Sequence, residues 1–90
     1  MKVTWGDEAE QELYFQVRHI ARDRPSSAEM VLETLLEAAA RLGDFPEMGV
    51  AGRRPDTREL IVPHLPYIIV YWRLTSCVEV LGLIHTARDR

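Results

Sequence analysis

The side chains best suited to chemistry gather in the last part of this 90-residue chain. Arg53 and Arg54 precede a β-rich stretch, Arg58 opens it, Tyr71 and Arg73 lie within it, and His85 and Arg88 close it. Arginine presents a planar fork of donors matched to phosphate oxygens. Histidine titrates near neutral pH and can move a proton. Tyrosine offers a flat face on which a base can stack. Such groups could cleave RNA without a metal. The 2′-hydroxyl would attack the adjacent phosphate, arginines would stabilise the developing charge, and an acid and a base would handle the protons. The same residues also have a structural reading, with a strand-end histidine satisfied by backbone and arginines that keep a sheet edge soluble. Composition by itself favours that second reading.

Other chemistries find little support. His19, His64 and His85 are scattered, and Cys77 is the one cysteine, so no paired metal ligands are offered and no metal or cofactor is expected. There is no glycine-rich phosphate loop and no nucleophile elbow. A single cysteine cannot form an internal disulfide, which fits a cytoplasmic protein. Asp7, Glu8 and Glu10 fall where a signal peptide would need an apolar segment, and no apolar run approaches the roughly 20 residues needed to span a bilayer. The net charge of −3 argues against a general nucleic-acid binder. It is unevenly spread: residues 1–50 carry five Lys/Arg against ten Asp/Glu, and residues 51–90 carry six Arg against four Asp/Glu.

Positioning these groups requires an α+β fold in one domain over residues 1–90. Lys2 to Trp5 has strand propensity, and Gly6 breaks it. A helix is expected from Asp7 to about Arg22, with Asp7 and Glu10 as a capping box and Ala9, Leu13, Val17 and Ile20 or Ala21 on one stripe. A second begins at Ser26 with Glu29 in the same relation, buries Val31, Leu35, Ala38, Ala39 and Leu42, and ends at Gly43. Asp44 to Thr57 reads as irregular, with Phe45 and Met48 as its anchors to the core. Three β-branched and aromatic runs follow as an antiparallel meander. In the middle run Ile68, Val70 and Trp72 share one face, and Tyr67, Ile69, Tyr71 and Arg73 share the other. The purely apolar face is expected under the helices, and the tyrosine face is expected to be partly open.

This order, a short N-terminal strand, a two-helix hairpin and a three-stranded antiparallel meander, resembles the RelE/ParE superfamily of toxins from bacterial type II toxin–antitoxin modules. The residues that carry the resemblance are Phe45-Pro46-Glu47-Met48-Gly49, Gly52-Arg53, Thr57 to Val62, Pro66 to Tyr71, and Val78-Glu79-Val80-Leu81 through Ile84 to Asp89. It runs nearly end to end and is nearest to ParE-like, or plasmid-stabilisation, members. The resemblance implies a growth-inhibiting toxin in a hetero-oligomer with a cognate antitoxin. ParE-like members inhibit DNA gyrase by binding it, and RelE-like members enter the ribosome and cut messenger RNA. For an RNA-cleaving member, Arg58 and Arg88 resemble phosphate-binding arginines and His85 a catalytic histidine. Arg53, Arg54, Tyr71 and Arg73 would contact the target in either case. Two departures weigh against nuclease activity: Gly82 stands where many close relatives have arginine, which also marks an inactive relative, and no C-terminal tyrosine follows Arg90, which with the pI near 5.5 and the ParE-like second half favours the gyrase-directed reading. An inactive binding relative is the remaining alternative.

Overall fold

The computed structural model describes residues 1–87. Its elements are β1 (Lys2–Trp5), α1 (Asp7–Ala21), α2 (Pro25–Arg41), β2 (Val50–Ala51), β3 (Arg58–Ile61), β4 (Tyr67–Arg73) and β5 (Cys77–His85). The strands form one sheet in the order β1-β5-β4-β3-β2. β1 runs parallel to β5, pairing Lys2–Trp5 with Cys77–Val80, and the other pairings are antiparallel. The expected architecture is therefore present, enlarged by β2, which lies in the segment expected to be irregular.

Both helices follow their apolar stripes. Ala9 and Leu13 of α1 and Ala28, Val31, Leu35, Ala38 and Ala39 of α2 are buried, and Leu42 follows them into the core. The expected capping boxes are absent. α1 starts after Gly6 and α2 after Arg24, neither with a side-chain cap, and Pro25 occupies the first turn of α2. Proline suits that position because its missing N–H would have no partner there and its φ is already helical. Gly43 does follow α2, but at negative φ. A side chain there would run into the Met1 carbonyl, and the Met1 ammonium donates to the Gly43 carbonyl at 2.8 Å.

The sheet faces are the reverse of the expectation. Tyr67, Ile69 and Tyr71 are buried in one cluster with Leu13, Leu35, Leu42, Val78, Val80 and Leu83, so the tyrosine face lies under the helices. Strict alternation also fails in β5. Tyr71 pairs with Val80 and Val70 with Gly82, leaving Leu81 without a partner as a β-bulge. The bulge keeps Val78 and Val80 on the same face as Leu83 and His85. On the opposite face, residues directly across from one another form rows: Ile61, Ile68 and Ile84; Val50, Glu59, Val70 and Gly82; Thr4, Glu79 and Trp72. Ile61 and Val50 are 66% and 63% exposed, and Ile68, Val70, Trp72 and Ile84 are half-buried. α1 reaches this face only where Glu8 and Glu12 come beside Gly82, among the described residues.

Candidate functional site

The expected site residues fall into three places. The first is the end of the sheet where β3 meets β4. Tyr71 is fully buried, and its hydroxyl accepts from the Gly49 amide and donates to the Pro46 carbonyl, each at 2.8 Å. Arg58 reaches the same loop from the neighbouring strand and donates to the Gly49 carbonyl at 2.8 Å. Its guanidinium also lies 3.8 Å from Glu47, and Arg73 approaches Glu47 from the other side at 3.5 Å. Burial raises the Tyr71 hydroxyl above its ordinary pKa; the Gly49 hydrogen bond and the Arg58 charge oppose that shift, and Glu47 adds to it. Gly49 is required here, since a Cβ would lie 2.8 Å from the Tyr71 hydroxyl and 2.9 Å from the Glu59 carbonyl. Tyr71, Arg58 and Arg73 thus latch residues 46–49 to the sheet. Phe45 and Met48, the expected anchors, are 61% and 41% exposed. A tyrosine hydroxyl with two backbone partners fixes the loop in their place.

The second place is the far end of β5. His85 pairs with Tyr67 across the strands, their rings meet edge to face at 5.2 Å, and its Nδ1 accepts from the Ala87 amide at 3.3 Å. Arg58 pairs with Tyr71, four residues along β4 from Tyr67 and two strands from β5. At about 3.3 Å per residue and about 4.8 Å per strand, the two backbones are roughly 16 Å apart. Arg58 and His85 therefore do not converge on one phosphate in this structure. Arg88 lies outside the described residues.

The third place is a concavity of about 520 Å³ on the bare sheet face. Val70, Gly82 and Ile84 floor it, Arg53 and Arg54 flank it on the β2–β3 loop, and Glu8 and Glu12 of α1 reach over it from the other side. Arg53 is held by Glu59, which accepts from its backbone amide at 3.0 Å and lies 3.6 Å from its guanidinium. Thr57 fixes the loop by donating to the Arg54 carbonyl at 2.7 Å. Arg53 and Arg54 were legible in the sequence; Glu8, Glu12 and Glu59 were missed. The i, i+4 spacing of Glu8 and Glu12 puts both on one side of a helix, and that signal was available. Which sheet feature they would face depends on register and on the Leu81 bulge.

The arrangement offers an apolar floor between rims of opposite charge. Among the described residues, no group of three or more His, Cys, Asp or Glu comes together as a metal site would require. No helix of the described residues is long and apolar enough to cross a membrane.

Comparison with known proteins agrees with this architecture. A solved structure described as the chromosomal ParDE TA system from P. aeruginosa superposes with a TM-score of 0.85 over 94% of this chain and 95% of that one, at 17% identity, and so shares the fold. A protein of Sinorhizobium fredii (strain NBRC 101917 / NGR234) named "Putative toxin Y4kP" is 37% identical over 67 residues, 74% of this chain and 69% of that protein. Residues 3–90 match the family model described as ParE toxin of type II toxin-antitoxin system, parDE. The chain belongs to the ParE toxin family.

Proposed function

We propose that this chain is a toxin that inhibits DNA gyrase by binding it and is neutralised by a cognate antitoxin in the cytoplasm. The carrying observation is the use of the charged residues. Arg58 and Arg73 are engaged in holding residues 46–49, His85 stands at the other end of the sheet, and the sheet carries a concave apolar face with charged residues of both signs around it. That combination suits a protein partner better than a phosphodiester. Membership in the family and the likeness to a ParDE structure support an antitoxin partner.

The test is tightly controlled expression, with and without the gene beside it. Cleaved or relaxed plasmid DNA with intact transcripts is expected, and the neighbouring product should relieve growth arrest. Transcript cuts in the ribosomal reading frame within minutes, with plasmid supercoiling unchanged, would overturn the gyrase reading in favour of messenger RNA cleavage. Growth without arrest would leave an inactive binding relative.

A further inference from the structure

We propose that the outer face of α1 is self-complementary and receives a second copy of this chain, the two α1 helices lying antiparallel with their Phe15 rings in contact. This goes beyond the antitoxin and gyrase readings and rests on neither.

Glu8, Gln11, Phe15, Arg18 and Arg22 follow one another at alternating intervals of three and four residues. That spacing sets them in one stripe along a helix. The stripe lies on the side of α1 away from the buried Ala9 and Leu13, and all five residues are exposed. Phe15 stands at its centre, 55% exposed, with Tyr14 beside it at 53%. The His19 ring stacks on Phe15 at 6.4 Å, with 14° between the planes, and widens the aromatic patch. Among the described residues, Glu8, Gln11, Arg18 and Arg22 have no side-chain hydrogen bond or ion pair within the chain.

The charges are arranged about Phe15. Glu8 lies seven residues before it and Arg22 seven after, about 10 Å along the axis in each direction. Acidic residues near the start of a helix and basic ones near its end suit the helix dipole. The dipole does not account for an exposed phenylalanine midway between them. A second α1 turned end for end about Phe15 does. Each Glu8 then faces Arg22 of the other copy, each Gln11 comes level with Arg18 and His19, and the two Phe15 rings meet at a twofold axis. Parallel helices would set Glu8 against Glu8 and Arg22 against Arg22. A partner of unrelated sequence has no reason to repeat this order, whereas the stripe is its own complement. α1 has 15 residues, about 22 Å, and one helix pair of that length sits at the low end of specific interfaces, so the dimer is weak and forms with concentration. The contact uses none of residues 46–49, Val50 or Ile61.

Sedimentation equilibrium of the intact chain tests this. The native mass should rise from 10.4 kDa toward twice that value as concentration increases. The twofold axis repeats every contact, so each substitution acts twice. Phe15→Glu sets two carboxylates on the axis and should weaken association at least tenfold. Glu8→Arg and Arg22→Glu should each weaken it several-fold. An equimolar mixture of those two chains, and the chain carrying both changes, should recover most of the loss. Met30→Glu, on the exposed side of α2, should leave association unchanged. Melting curves should stay near native throughout, because every substituted side chain is exposed. A native chain that stays monomeric at millimolar concentration would overturn the proposal, as would association untouched by Phe15→Glu and by both charge reversals. Antitoxin affinity lost in Phe15→Glu, with the mass of the free toxin unchanged, would assign this face to the antitoxin instead.

Discussion

Tyr71 shows how much one hydroxyl decides. Its ring belongs to the core, and its oxygen carries two backbone hydrogen bonds that hold residues 46–49. In Tyr71→Phe the Gly49 amide and the Pro46 carbonyl lose that partner, a loss expected to cost about 1–3 kcal/mol. Urea unfolding should show the change, and amide exchange at Gly49 should accelerate. Gly49→Ala should be at least as damaging, because its Cβ would meet both the hydroxyl and backbone. The raised Tyr71 pKa also has a signed consequence. The folded state resists ionisation that the unfolded chain undergoes near the ordinary value of 10.0, so the folded state holds the proton more tightly. Stability is unaffected well below that pH and falls as pH rises through it toward the higher folded value. Tyr71→Phe should flatten this alkaline limb in unfolding measured between pH 9 and 11, whereas a native-like slope in the variant would assign the effect to other groups.

At the level of elements, periodicity was readable and facing was not. The stripes of α1 and α2 located the helices because spacing near 3.6 residues needs no knowledge of partners. Leu35 is fully buried on that stripe and Leu36 is 42% exposed beside it. Leu35→Ala is expected to cost about 2–5 kcal/mol and Leu36→Ala less than about 1 kcal/mol by chemical denaturation. The meander runs were readable for similar reasons, but the choice between their faces was misread. The tyrosine hydroxyls suggest an open face, but the ring is apolar and the hydroxyl needs only a nearby backbone partner. The Leu81 bulge shifts the alternation of β5, and no local composition signals it. The concavity was legible only in part. Arg53 and Arg54 stand out as a pair, but their juxtaposition with Glu8 and Glu12 depends on pairing across distant segments.

For the whole molecule, the bare sheet face dominates. Ile61 and Val50 project from it with most of their surface in water, and monomeric proteins seldom leave such a patch without a partner. Ile61→Ser should change thermal stability little, since the side chain is already exposed, yet should weaken antitoxin binding several-fold in titration calorimetry. Unchanged affinity would move the antitoxin to another face. A partner that binds the folded state at about a thousand times its Kd should add about 4 kcal/mol to stability. The complex should accordingly melt well above the free toxin, at a temperature that depends on antitoxin concentration.

The parallel pairing of Lys2–Trp5 with Cys77–Val80 bears on how the molecule is made. β5 sits between β1 and β4 in the sheet although it follows both in sequence. During synthesis, the opening strand emerges without a partner, and the tyrosine-bearing strand has β3 on one edge but nothing on the other. Only the late arrival of β5 supplies hydrogen-bond partners to both at once. Long-range pairings of this kind close slowly, after the entropy of a large loop has been lost. A nascent chain therefore cannot complete its sheet until β5 is free, and the toxin surface matures after most of the polypeptide has been made.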